Sequence, residues 1–259
     1  MTVGMRRAGE FCWMNMITPE PAKARAFYAT LLGWTYVEMP GMGHRVQGQG
    51  RDIGALFDIA APGTPPGTPS HIGVMIKIDD AESFIAKVTS LGGTTMPVME
   101  IGEAGRMVSA TDPNGARFDV WQAKRMTGSD VDSHLHGAPT WFETLTTDVD
   151  RAAAFYTALF GWTAVTTPME GGAYTTFALD GTPLAGMMQI TQSMDAVKPH
   201  WGTYFAVDDV DRAAKVAVEL GATLTVPVRD IPGVGRFCGI DSPQGVFFYL
   251  IKFLPRSEG

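Results

Sequence analysis

The chain has 259 residues, 45% hydrophobic and 18% charged, with a net charge of −7. This composition fits one or two folded domains and excludes a disordered chain. The acidic balance argues against a nucleic-acid partner, and no apolar run is long enough to span a membrane.

Residues 1–7 are basic with no apolar stretch behind them, so no secretory signal is read and a cytoplasmic location is expected. Residues 11–17 are mostly apolar around Asn15 and read as a strand. Thr18 is the expected helix N-cap, with Pro19 at the first helical position, a helix over 22–32 and Gly33 as its stop. Phe27 with Leu31, and Tyr28 with Leu32, recur at four-residue spacing and mark an inward stripe. Strands are expected at 36–39, 44–47 and 53–59. Residues 61–69, with Pro62, Pro65, Pro66 and Pro69, read as a hinge.

The rhythm then repeats. A strand at 73–78 leads to a helix opened by Asp79-Asp80 and closed by Gly92-Gly93. Strands follow at 94–98, 105–111 and 116–121, with Asp112-Pro113-Asn114-Gly115 as a hairpin turn. Residues 124–139 are polar and aperiodic and read as a linker between domains 8–123 and 140–254.

The second domain rewrites the first. Ala26-Phe27-Tyr28-Ala29-Thr30-Leu31-Leu32-Gly33-Trp34 returns as Ala154-Phe155-Tyr156-Thr157-Ala158-Leu159-Phe160-Gly161-Trp162, at an offset of 128 residues. Asp112-Pro113-Asn114-Gly115 returns as Ser242-Pro243-Gln244-Gly245, at an offset of 130. A repeat this long can bury its own core, so tandem domains explain it better than a solenoid. Cys12 and Cys238 occupy unmatched repeat positions and read as two buried free thiols.

Each domain is thus a pair of βαβββ units. The Thr18-Pro19-Glu20 and Thr147-Asp148-Val149-Asp150 entries, the Phe-Tyr helices ending in Gly-Trp, the Val207-Asp208-Asp209 helix start and the two proline turns recur in one order. That order resembles the vicinal oxygen chelate superfamily of glyoxalase I, bleomycin-resistance proteins and extradiol dioxygenases. The resemblance implies an α+β fold, with curved mixed sheets around a ligand cleft in each domain.

The resemblance also implies where a divalent metal would sit in a metal-binding member. The positions fall on Trp13, Gly73 and Asp119 in the first domain, and on Trp141, Gly202 and Tyr249 in the second. Indole is a donor only and cannot replace imidazole. No bound metal is therefore expected. The alternative is a metal-dependent glyoxalase-like lyase or dioxygenase, holding zinc, nickel, iron or manganese through His71 and Asp119.

Alternation places Trp13 and Asn15 on one face, and Trp141 and Glu143 on the matching face of the second copy. With the family geometry, these faces line the clefts; the other reading is that the indoles fill the core. A carboxylate on an apolar strand is costly unless paired or exposed in a cavity. Glu143 reads as a general base or cation ligand, or else as a salt-bridge partner of Arg236 or another basic residue. Arg106 and Arg236 read as anion clamps or as partners of acids. Tyr204 and Tyr249 are candidate cleft hydroxyls or packing residues, and His71 and His200 sit at matched strand starts.

The expected function is binding of a small hydrophobic or aromatic metabolite or natural product, by sequestration or by acid–base chemistry at Glu143. Trp13, Asn15, Trp141, Tyr204, Arg236 and Tyr249 would contact the ligand. An enzyme of this kind would be a lyase, isomerase or oxidoreductase. The expected state is a monomer or homodimer with no nucleic-acid or membrane partner.

Overall fold

Strand β1 (Phe11–Thr18) lies inside the first sheet and leads into helix α1 (Pro21–Leu32). The computed structural model describes residues 6–61, 64, 67–169, 172–194 and 197–255. Most of the basic N-terminal segment, and Pro62, Pro65 and Pro66 of the expected hinge, lie outside the described residues.

Helix α1 begins two residues later than the sequence suggests. Thr18 stays in β1 opposite Asp58, and its hydroxyl accepts from the Glu20 amide at 3.3 Å. Glu20 holds the cap position at φ −126° and ψ 60°. It precedes Pro21, and the proline ring keeps the residue before it out of the helical region. The helix end agrees with the sequence. Gly33 is left-handed at φ 67°, and its amide bonds the Ala29 carbonyl at 3.1 Å.

Strands β2 (Thr35–Met39), β3 (Gly43–Gly48) and β4 (Arg51–Asp58) complete the first unit. The second unit is β5 (His71–Ile78), α2 (Ala81–Ser90), β6 (Thr94–Thr95), β7 (Met99–Ile101), β8 (Gly105–Thr111) and β9 (Arg117–Ala123). The strand expected at 94–98 is broken into β6 and β7 around Pro97, which has no amide proton for a ladder bond. Asp80 caps α2 by accepting from the Ser83 amide at 2.7 Å.

The third unit is β10 (Pro139–Thr146), α3 (Val149–Phe160), β11 (Thr163–Met169), β12 (Gly172–Leu179) and β13 (Thr182–Gln189). The fourth is β14 (His200–Ala206), α4 (Val210–Glu219), β15 (Thr223–Ile231), β16 (Gly235–Asp241) and β17 (Phe247–Phe253). Asp148 and Asp209 cap α3 and α4, each at 3.0 Å from an amide three residues on.

Two curled mixed sheets result. The first runs β2-β3-β4-β1-β5-β9-β8-β6, with β7 added on β8; the second runs β11-β12-β13-β10-β14-β17-β16-β15. Within each sheet the two units join antiparallel, β1 to β5 and β10 to β14.

The helix-bearing faces pack against each other across the duplication. One buried cluster joins Phe27, Tyr28 and Leu31 of α1 to α4 and to Phe248 and Leu250 of β17. The other joins α2 and β9 to Phe155 and Tyr156 of α3. The first unit therefore packs on the fourth, and the second on the third. The inward stripe marks these contacts. Burying one such aromatic side chain contributes about 2–3 kcal/mol.

Trp34 and Trp162, which close the two repeat motifs, are buried and donate to the carbonyls of Gly137 (2.7 Å) and Gly9 (2.9 Å). Residues 124–138 hold no helix or strand but are tied down. The Ser129 amide donates to the Cys12 carbonyl at 2.7 Å, and the buried Arg6 guanidinium donates to the Ser129 carbonyl at 2.8 Å. Among the described residues, no helix is long and apolar enough to cross a membrane.

Candidate ligand site

The faces turned away from the helices collect the chemistry. They carry two separate apolar clusters, each drawn from one copy, and the face of each curled sheet that bears one is called its cup. In the second sheet, β10 presents Trp141 and Glu143 to the cup. Register then sets Tyr204 beside Trp141, and Tyr249 beside Tyr204.

Glu143 is 4% exposed and lies between two glycines, Gly186 on β13 and Gly202 on β14. With no side chains there, neighbouring rings close over the carboxyl. A Cβ at Gly186 would stand 1.8 Å from the Tyr174 hydroxyl, and one at Gly202 3.0 Å from a ring carbon of Tyr249.

The carboxyl is held by phenols and not by a cation. The Tyr204 hydroxyl donates to Glu143 Oε1 at 3.0 Å, and the Tyr174 hydroxyl stands near enough to the same carboxyl to favour its charged form. Trp141 Nε1 in turn donates to the Tyr174 oxygen at 2.9 Å. Burial pushes the Glu143 carboxyl above the usual carboxylate range, against the opposing pull of the Tyr174 and Tyr204 hydrogen bonds and the Arg229 charge. Burial first, and the Glu143 charge second, raise Tyr174 and Tyr204, so both phenols keep their protons. The salt bridge from Glu143 to Arg236 does not form.

One wall of the cup is a stack of Tyr204 on Tyr249, with ring centroids 4.1 Å apart and planes 11° from parallel. Phe247 meets Tyr249 edge-on at 4.7 Å, and Phe237 belongs to the same cluster.

The first cup is different. Trp13 is 7% exposed and packs in a cluster with Ala55, Met75 and Trp121. Asn15 stands between Ala55 and Gly73. His71 Nε2 and Asp119 Oδ2 both approach the vacant Cβ position of Gly73, at 3.6 and 3.5 Å. His71 Nδ1 lies 2.8 Å from the Pro69 carbonyl, which can only accept, so Nδ1 carries the proton. The Ser109 hydroxyl donates to Asp119 Oδ1 at 2.5 Å. Burial raises the Asp119 carboxyl, opposed by Ser109 and by His71. His200 repeats the His71 geometry, 2.8 Å from the Lys198 carbonyl, but Tyr249 stands where the first copy has Asp119.

The donor set does not match a family-type metal. Trp13 and Trp141 offer only N–H donors, Gly73 and Gly202 offer no side chain, and burial raises the Tyr249 phenol. His71 and Asp119 make two ligands where three or four N/O donors are needed. Among the described residues, no three His, Cys, Asp or Glu side chains converge.

Arg236 is not in the cup. Alternation along β16 puts Phe237 in the cup and Arg236 on the helix side. There it bonds Asp211 of α4 at 2.7 Å and Asp230 at 2.9 Å. Arg106 is its counterpart, paired with Glu82 and, at 2.7 Å, with Glu100.

The structure brings Trp141, Glu143, Tyr204 and Tyr249 together and adds Tyr174, Gly186, Phe237 and Arg229, which sequence reasoning missed. One signal was available. Gly186 is an isolated glycine inside a strand pattern, a mark of close approach by a neighbour.

A model of the Glyoxalase/Bleomycin resistance protein/Dioxygenase superfamily matches residues 11–120 and 139–250. "Putative glyoxylase CFP32" of Mycobacterium tuberculosis is 35% identical over 257 residues, covering 96% of this chain and 97% of the relative. Anthracycline biosynthesis protein DnrV of Streptomyces peucetius is 31% identical, covering 94% of this chain and 93% of the relative. Among solved structures, the Mn(II)-bound glyoxalase from Novosphingobium aromaticivorans aligns at a TM-score of 0.67 and 14% identity, covering 96% of this chain and 84% of that one. The 2,3-dioxygenase LapB from Pseudomonas sp. KL28 aligns at 0.64 and 14%, covering 99% and 96%. At such identities the structural likeness shows the fold alone.

Proposed function

The chain belongs to the glyoxalase/bleomycin resistance protein/dioxygenase superfamily, and on that premise we propose that its second cup binds a small, flat, hydrophobic or aromatic molecule without a bound metal ion. The observation that carries this reading is Glu143, a buried carboxyl that accepts from the Tyr204 hydroxyl and has no ion-pair partner within 4 Å among the described residues. Burial favours its protonated form, and in that form it donates a hydrogen bond or a proton to a ligand oxygen. Once ionised, it takes a proton back. A ring system would lie against the Tyr204–Tyr249 stack, whose rings are 4% and 7% exposed in the free protein. A relative named for anthracycline biosynthesis supports the same ligand shape, since anthracyclines are flat, polycyclic and aromatic.

Thermal denaturation with a panel of aromatic compounds tests the site. A ligand at 100 times its Kd adds about 2.7 kcal/mol to the native state and raises the melting temperature. The rise is expected in the native protein and in Asn15→Ala, and is expected to vanish in Glu143→Ala. A rise that survives in Glu143→Ala, or is lost in Asn15→Ala, refutes the assignment to the second cup.

A further inference from the structure

We infer that the ligand of the second cup is an aromatic acid, and that Arg229 at the cup mouth holds its anionic group. The inference rests on the reading of that cup as the ligand site. Arg229 lies on β15 opposite Phe237 on β16, with its guanidinium carbon 4.9 Å from the centre of the Phe237 ring. Phe237 shares a cluster with Tyr204 and Tyr249, so the guanidinium sits over the aromatic wall. It is exposed, and its charge is felt by both Glu143 and Tyr249.

Among the described residues, its charge has no carboxylate partner. Arg45, Arg106 and Arg236 each pair with a carboxylate, and Arg236 takes Asp230, the residue next to Arg229. Among the described residues, no carboxylate lies within 4 Å of Arg229. Burial disfavours charge on the Glu143 carboxyl, and Arg229 is a cation whose charge reaches it.

The duplication supplies an internal comparison. The matching pair in the first copy is Met99 opposite Met107. The backbone register is kept and the charge is absent, so neither fold nor strand pairing calls for an arginine at this place. A guanidinium resting on an aromatic face keeps its fork free for a carboxylate. A planar acid fits this arrangement. Its ring lies against the tyrosine stack and its carboxylate reaches the fork. A ring oxygen then meets Glu143.

The test is equilibrium titration with benzoate, 2-naphthoate and anthraquinone-2-carboxylate, each beside its neutral carboxamide. At least one acid is expected to bind at least about 10-fold more tightly than its amide. Arg229→Gln should weaken the acid by about 10–100-fold and leave the amide within about 2-fold, as loss of a charged hydrogen-bonding partner implies. Arg229→Lys should restore part of the preference, since it keeps the charge and loses the fork. Equal binding of acid and amide, both lost in Tyr249→Ala, overturns the arginine assignment and leaves the cup standing as a binding site. An acid preference unchanged in Arg229→Gln has the same meaning. If no compound of either series binds, the inference and the reading of the cup fall together.

Discussion

Substituting Gly186 by alanine tests how the candidate site is assembled. The new Cβ would lie 1.8 Å from the Tyr174 hydroxyl and 2.3 Å from its ring carbon Cζ. The three nearest atoms to that Cβ all belong to the Tyr174 side chain, so the backbone need not move. The ring must swing away. It then no longer accepts from the Trp141 indole N–H, which it meets at 2.9 Å. Leaving that half-buried N–H without its acceptor costs about 2 kcal/mol. In a chain of this size that lowers the melting temperature by about 4–8 °C. The assay is a double-mutant cycle by urea denaturation, with Tyr174→Ala as the second substitution. Once the tyrosine is gone, the alanine at 186 has nothing to displace. Its cost should fall to near zero, leaving a coupling energy of about 2 kcal/mol. If Gly186→Ala costs the same in both backgrounds, the contact between Tyr174 and Gly186 is not what holds this corner of the cup.

Other outcomes follow from the same structure. The folded Glu143 carboxyl sits above its unfolded value, so its contribution to stability is fully present below the ordinary glutamate range and is lost as pH rises through the folded value. Glu143→Gln should therefore gain stability relative to the native protein as pH rises, and denaturation from pH 4 to 8 checks this; a flat difference would refute it. Tyr156→Phe strands the buried Trp201 indole N–H (2.8 Å) and one bond to Asp112 (3.0 Å), for a loss of about 2–3 kcal/mol. Tyr28→Phe, at the matching position, removes a buried hydroxyl without a hydrogen bond of ordinary geometry and should cost about 0.5 kcal/mol or less by the same denaturation assay. Burial pushes the Cys12 and Cys238 thiols up to about 12, so a thiol reagent near neutral pH should label them only after denaturation. Elemental analysis of the purified protein should find no stoichiometric zinc, nickel, iron or manganese. A full equivalent would restore the reading built on His71 and Asp119.

Much of the scaffold was legible in the chain because it is written twice. The helix ending in Gly-Trp needs a left-handed residue, and Gly33 and Gly161 supply it at φ 67° and 73°. The aspartates before three of the helices are caps, and the four-residue aromatic spacing marks the buried stripe. The start of α1 was misplaced because two prolines compete for the first turn, and only backbone geometry tells which one wins. The cup faces were also legible, since alternation fixes which side of β10 holds Trp141 and Glu143. The same alternation places Arg236 on the wrong face for a ligand, a point that becomes visible only once Phe237 is seen inside the cup.

The chain alone determined the duplicated α+β architecture, the helix stops and the absence of imidazole at the positions where the family resemblance implies a metal ligand. These are local properties of spacing and residue type, and each copy corroborates the other. The tertiary structure alone decided what surrounds Glu143. Tyr174 comes from a strand two places away in the sheet and crosses a glycine to reach it. Tyr204 and Tyr249 arrive from two further strands. Proximity between strands that pair across long stretches of chain is set by sheet register and curl, and neither leaves a mark within a local window of sequence.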